Sequence, residues 1–192
     1  MKGRESGMPE EAAWSSYFDP GCVLDRLGCD GACRDAFEFG CGYGTFSVPA
    51  ASRIAGALYT QDIEPEMVAA TAQKAQGAGL SNVLAEVRDF MSGGTGRPDA
   101  SVDYAMLFNL LHVEGPVELL REARRILAPG GRLGVIHWRA DVETPRGPPL
   151  GIRPTPEQVR EWGEAAGLRF ERFEALPCCS WHWGLVLRRD AH

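Results

Sequence analysis

The sequence predicts an α/β fold built on a doubly wound parallel sheet, and three observations carry that prediction. A short apolar run at residues 36–39 opens directly into the glycine-spaced turn Gly40-Cys-Gly-Tyr-Gly44. Apolar runs of strand length then alternate with segments of helical periodicity. The last two runs, 169–176 and 181–188, are joined by a short turn, so the sheet should close with a hairpin and one inserted antiparallel strand.

Residues 1–13 are polar and glycine-containing and read as a disordered tail ahead of a single domain at 14–192. A helical segment is expected over 14–27, with Phe18, Val23, Leu24 and Leu27 on one face and a break near Pro20-Gly21. The first strand covers 36–39. The helix behind the glycine turn covers 45–55, where Pro49 is tolerable because it falls in the first turn. A second strand at 57–61 leads to a helix that opens at Glu64, with Pro65 in its first position, and stops near Gly77 and Gly79. The third strand is 83–87, and the Gly- and Pro-rich link 92–100 leaves no room for a proper helix before the fourth strand at 102–107. Pro116 opens a helix reaching Leu127, with Val117, Leu120 and Leu127 facing inward, and Pro129-Gly-Gly131 stops it. The fifth strand spans 132–138 and a proline-rich loop spans 139–154. Thr155-Pro-Glu-Gln158 carries the side chains of a capping box, and the helix behind it should bury Val159, Trp162 and Ala166.

A chain of 192 residues supports one such domain with its own core but no separate substrate domain. The net charge is −6 and the basic residues are scattered, which argues against a polyanion-binding face and hence against nucleic acid as a partner. No apolar run reaches the length of a membrane span, and residues 1–13 lack the apolar stretch of a signal peptide, so a cytoplasmic monomer or homodimer is expected. The six cysteines, at 22, 29, 33, 41, 178 and 179, lack the paired C-x-x-C spacing of a structural zinc site. No metal is expected, and in the cytoplasm the thiols should stay reduced as small, partly buried hydrophobes. Were Cys22, Cys29, Cys33, Cys178 and Cys179 to converge on a ligand pocket, they would suit a thiophilic acceptor.

Three glycines at alternate positions between a strand and a helix let a ligand lie on bare backbone. Asp62, 18 positions beyond Gly44, closes the next apolar run and would stand at the tip of the adjacent parallel strand, within reach of a ribose diol. Together they read as a nucleoside-cofactor site. A dinucleotide fingerprint requires G-x-G-x-x-G, and Thr45 occupies the place of its third glycine. A nicotinamide site and a ligand-free turn are the alternatives, and Asp62 could also serve only as a helix cap.

With Glu38 as a leading acid, the turn resembles the first motif of the class I S-adenosylmethionine (SAM) methyltransferases. The resemblance extends over about residues 14–189 through Gln61-Asp-Ile-Glu-Pro-Glu-Met67, Arg88-Asp-Phe90, Ser101-Val-Asp-Tyr104 and Glu122-Ala-Arg-Arg-Ile-Leu-Ala-Pro-Gly-Gly-Arg-Leu133. Within that superfamily the chain is similar to the compact ubiquinone- and menaquinone-biosynthesis type. The resemblance implies a Rossmann-like seven-stranded sheet of order 3-2-1-4-5-7-6 with strand 7 antiparallel, and SAM as the cofactor. It also implies a cofactor site formed by Glu38, Gly40, Cys41, Gly42, Tyr43, Gly44 and Asp62, with Ile63, Met67, Asp89 and Phe90 about the adenine. Asn109 and Leu110 would lie beside the methionine portion. Asp89 and Phe90 could instead be a strand-end turn with a core aromatic.

The acceptor is expected to be a small molecule. His112 stands just beyond the fourth strand, on the edge where open α/β sheets bind ligands. A histidine at a similar place in the family's plant-type O-methyltransferases is a general base. A base, a positioning contact and a structural residue are the three readings of His112. His137, Trp138 and Arg139 end the fifth strand at the same edge and could line the pocket with Arg146 or Arg153. Trp14, Tyr17 and Phe18 fall where relatives carry a lid, expected over 14–33, or else pack on the sheet edge. A SAM-binding protein without methyl transfer is the functional alternative.

Overall fold

Along the first strand, β1 (Ala36–Phe39), Phe37 and Phe39 turn to one face, and Ala36 and Glu38 to the other. The two faces seed two separate halves of the core. A computed structural model describes residues 8–191 of the chain. It contains a seven-stranded sheet of order β3-β2-β1-β4-β5-β7-β6. The other strands are β2 (Leu58–Asp62), β3 (Val83–Val87), β4 (Val102–Phe108), β5 (Leu127–Trp138), β6 (Arg169–Glu174) and β7 (His182–Arg188). Pairings among β1 to β5 are parallel, while β7 lies antiparallel between β5 and β6. The expected fold class and strand order are therefore those of the structure.

One face of the sheet is covered by α2 (Pro20–Leu27) and α3 (Ser47–Ala51), with α4 (Pro65–Gly77) packed on α3 and β3. The other carries α6 (Pro116–Ile126) and α7 (Pro156–Ala165). The remaining helices, α1 (Glu11–Ser15) and α5 (Phe90–Gly93), are single turns at the ligand-binding edge. The capping box of α7 forms as expected: Thr155 accepts from the Gln158 N–H, and the Gln158 side chain accepts from the Thr155 N–H.

Several elements differ from the sequence reading, each for a local reason. Within the stretch 1–13, expected to be a tail, α1 starts at Glu11, and the rest of that expectation over residues 1–7 lies outside the described residues. The helix expected over 14–27 is two helices. Pro20 has no N–H to continue a preceding turn, and Asp19 instead caps α2 by accepting from the Cys22 N–H at 3.0 Å. The α2 helix is no lid either, since Val23, Leu24 and Leu27 are fully buried beneath the sheet. Helix α3 is half the expected length because the chain is pulled back at once: the Ala55 and Gly56 N–H groups donate to the carbonyls of Cys33 and Arg34. On α6 the inward residues are Leu119, Leu120, Ala123 and Ile126, while Val117 is only partly buried. Leu127 is already a strand residue paired with Val102, so Pro129-Gly-Gly131 lies inside β5 rather than between elements. Arg189 holds this junction, donating to the carbonyls of Arg124, Arg125 and Leu127 that α6 leaves unpaired.

The expectation of uniformly reduced cysteines is also corrected. Cys22 and Cys178 form a disulfide that ties α2 to the β6–β7 turn, while Cys29, Cys33, Cys41 and Cys179 are free and buried. No helix among the described residues is long and apolar enough to cross a membrane. The disulfide closes a loop with a sequence separation of 156, so it restricts the unfolded chain strongly. Cys22→Ser is expected to lower the unfolding free energy by about 2–4 kcal/mol. Urea unfolding with and without dithiothreitol checks this: reductant should lower the wild-type midpoint and leave the variant's unchanged. A wild-type midpoint insensitive to reductant would show that the bond does not form.

Candidate functional site

At the end of β1 the chain turns through three glycines in the left-handed region, with φ of 73° at Gly40, 49° at Gly42 and 71° at Gly44. The turn is sewn to the end of β2. The Gly40 and Cys41 N–H groups donate to the Gln61 carbonyl at 2.8 and 3.2 Å. The buried Asp62 carboxylate accepts from the Gly42 N–H at 3.0 Å and from the Glu64 N–H at 3.1 Å, one bond per oxygen. Each oxygen keeps capacity for another donor. A side chain at Gly40 or Gly42 would approach Leu110 or Met8 to 3.2 Å, over the space the turn leaves open.

That space is a cavity of about 730 Å³. It runs from Gly40, Gly42 and Asp62, past Ile63, Arg88, Asp89 and Phe90, to Phe108, Asn109, Leu110, His112 and Trp138. Asp89 lines the cavity and also caps α5, accepting from the Met91 and Ser92 N–H groups at 3.1 and 3.3 Å. Phe90 lines the cavity and rests edge-on against Phe39. Asn109 adopts the left-handed region at φ 59°, which asparagine tolerates better than most side chains, and its Oδ1 is buried with no partner among the described residues.

The deepest acid is Glu38, on β1 beneath the turn. Ser47 donates to it from α3. Burial nevertheless drives its carboxyl up from 4.5 to about 8, with the Ser47 bond opposing the shift. Burial also raises Asp62, against the pull of its backbone donors.

On the opposite side of the cavity His112 meets a second imidazole: its Nδ1 is 3.2 Å from Nε2 of the buried His137. An aromatic wall stands nearby, with Phe46 edge-on to Phe108 at 4.7 Å and Trp138 against His182 at 4.1 Å between ring centroids. Trp14 roofs the wall, 4.8 Å from Phe18, and α1 is anchored by the Glu11–Lys74 ion pair.

Of the residues singled out in the sequence, Glu38, Gly40, Cys41, Gly42, Asp62, Ile63, Asp89, Phe90, Asn109, Leu110, His112, Trp14 and Arg146 meet at the cavity. The others do not line it. Tyr43 turns away and donates to the Pro9 carbonyl, Gly44 is hemmed in by Thr71, and Met67 is buried in α4. Phe18 lies behind the wall between Phe46 and His182, while Tyr17 packs on Trp138 and Trp181. His137 stands behind His112, and Arg139 is engaged with Asp141. Arg153 donates to the carbonyls of Pro148, Arg139 and Arg146, so it braces the 139–154 loop instead of facing an acceptor. Cys22, Cys29, Cys33, Cys178 and Cys179 are all absent from the lining, which removes the convergence a thiophilic acceptor would need. The sequence reading missed Met8, Pro9, Phe46, Glu114, Glu118 and Pro148. Only Phe46 carried a signal, as the aromatic that follows the turn.

A family model described as "Methyltransferase domain" matches residues 36–131, half of the chain. No curated protein matches. Among solved structures, a SAM-dependent methyltransferase from Aquifex aeolicus aligns over 93% of each chain with a TM-score of 0.80 and 24% identity. A putative type 11 methyltransferase from Sulfolobus solfataricus covers 92% of this chain and 95% of its own, with a TM-score of 0.68 and 25% identity. The [4+2]-cyclase SpnF covers 98% of this chain and 85% of its own, with a TM-score of 0.76 and 22% identity. That likeness shows the fold alone.

The raised carboxyls make stability depend on pH. Glu38 and Asp62 hold protons more tightly in the folded chain than in the unfolded one, so their contribution is complete below about pH 4.5 and is lost as pH rises, for Glu38 through about 8. Unfolding midpoints of the ligand-free protein should fall across that window. Glu38→Gln, neutral throughout, should flatten most of the fall; equal pH slopes in the two proteins would exclude Glu38 as the source.

Proposed function

Because the chain belongs to the methyltransferase domain family, as a SAM-dependent methyltransferase, we propose that it methylates a small molecule held between His112 and the aromatic wall. One observation carries this reading: a single cavity joins the glycine turn and Asp62 to His112. Its volume, about 730 Å³, suits a nucleoside cofactor together with a small acceptor. The net charge of −6 disfavours a nucleic acid in that role.

SAM supplies the activated methyl group; the protein binds, orients and removes a proton. Gly40 and Gly42 leave the backbone bare for the cofactor. Asp62 uses its remaining acceptor capacity for the ribose hydroxyls, and the raised Glu38 carboxyl lies beneath the turn to orient the amino group. Asp89 and Phe90 would hold the adenine, and Asn109 would lie beside the methionine portion. At the far end His112 takes the proton of the acceptor's heteroatom. When bound, SAM would supply the methyl group to the acceptor atom that His112 has relieved of its proton. Trp14 and the wall behind it keep water from the transfer.

Two expectations follow from these roles. Asp62→Asn retains one carbonyl acceptor for the backbone but loses the charge, so SAM affinity should fall at least about tenfold. Asp62→Ala should in addition lower the stability of the ligand-free protein, since the Gly42 and Glu64 N–H groups both lose their partner. Calorimetric titration and thermal melts separate the two effects, and unaltered affinity in Asp62→Asn would remove Asp62 from the cofactor site. For acceptor chemistry, a panel of phenols, quinols, amines and thiols is assayed for S-adenosylhomocysteine release. With the accepted compound, His112→Ala should lower kcat at least about a hundredfold with SAM affinity intact. Full turnover in that variant would exclude His112 as the base.

A further inference from the structure

His137 is fully buried on β5, off the cavity wall, and each of its ring nitrogens has one neighbour. Its Nδ1 lies 3.3 Å from the Trp138 carbonyl oxygen, and its Nε2 lies 3.2 Å from His112 Nδ1. A carbonyl oxygen can only accept, so the proton of His137 belongs on Nδ1. A neutral imidazole carries one N–H, which leaves a lone pair on His137 Nε2. Neutrality is enforced by the site: burial pushes His137 down to about 3, and His112, His182 on β7 and Arg153 ahead of α7 oppose a charge there too. His137 Nε2 therefore accepts, and among the described residues the group that faces it is His112 Nδ1, which must donate.

We propose that His137 is a positioning residue that fixes His112 in its Nδ1–H tautomer, so that Nε2 is the basic atom of the pair. The two rings cross at 72° with their centroids 5.4 Å apart, which directs the shared hydrogen bond along one ring edge. Trp183 stacks on His137 at 25° and holds it in that orientation. The alternative tautomer would set the lone pair of His137 Nδ1 against that of the Trp138 oxygen and break the favourable alternation of donor and acceptor. When His112 Nε2 takes a proton, the bond from its Nδ1–H to neutral His137 becomes charge-assisted, which stabilises the imidazolium without moving a second proton. Glu114, Glu118 and Arg146 share the cavity wall with His112, and the contact at its Nδ1 is the one to His137.

The consequence for turnover rests on the reading of His112 as the base, whereas the tautomer does not, and the test separates them. Long-range 1H–15N spectra of the histidine-labelled full chain report which ring nitrogen bears the proton without any acceptor. In the wild type, His112 and His137 are both expected as Nδ1–H. In His137→Phe, His112 should lose that preference and move toward the Nε2–H form favoured by unconstrained imidazoles. With an accepted substrate, kcat should then fall at least about tenfold while KM for SAM is unchanged. His137→Gln, whose amide oxygen can accept the same N–H, should restore most of the Nδ1–H form and of kcat. An Nε2–H signal for His112 in the wild type overturns the proposal, as does an unchanged His112 tautomer in His137→Phe. Undiminished turnover in His112→Ala would defeat the base reading alone.

Discussion

The Asp62 carboxylate is the joint on which the ligand-binding edge depends. One oxygen holds the glycine turn behind β1 and the other holds the entry to α4, so two neighbouring strand ends are locked in register at the point where the sheet opens. The backbone of the turn is already committed to left-handed conformations that resist side chains, and it stays bare because Asp62 keeps it in place. The arrangement carries a cost: a buried carboxylate is favourable only while its donors remain, and burial raises its proton affinity. The same group is thus structural in the ligand-free protein, and in the proposed function it is also the acceptor toward a bound nucleoside. That dual use explains why an alanine substitution cannot isolate its binding role.

Around this joint the site is divided chemically. On the side proposed for the cofactor are acids, Glu38, Asp62 and Asp89, each partly satisfied by the backbone or by Ser47. On the acceptor side are imidazoles and aromatic rings, with His112, Trp138 and Trp14 at the surface of the cavity and His137, His182 and Phe18 behind them. The rear rank is fixed by contacts to the last hairpin. Cys179 Sγ lies 3.2 Å from His182 Nδ1, and the adjacent Cys178 is bonded to Cys22. The hairpin therefore orients the acceptor wall, and the disulfide fastens α2 to the same unit.

Legibility in the sequence followed the range of the forces involved. The limits of β3 and the capping box of α7 rest on residues within a few positions of one another, and both appear where pattern and cap chemistry place them. The glycine turn and Asp62 were equally plain, because left-handed backbone and a strand-end acid leave direct signatures. The shortness of α3 was hidden, since it is imposed by hydrogen bonds from Ala55 and Gly56 to the carbonyls of Cys33 and Arg34, far outside any helical pattern. Likewise Leu127-Ala-Pro-Gly-Gly131 reads as a helix stop, yet pairing with Val102 and the bonds from Arg189 draw it into the sheet. The acceptor wall was the least legible part. His112 and His137 meet only because β4 and β5 are neighbours, and Arg153 reads as a ligand for an anion although it spends its donors on carbonyls of its own loop.

Calorimetric titration of the wild-type chain with SAM, beside NADH, is the most direct test that this edge is a SAM site. A single saturable site per chain for SAM, with no saturable heat for NADH, is the expected result. Saturable binding of NADH without binding of SAM would contradict it.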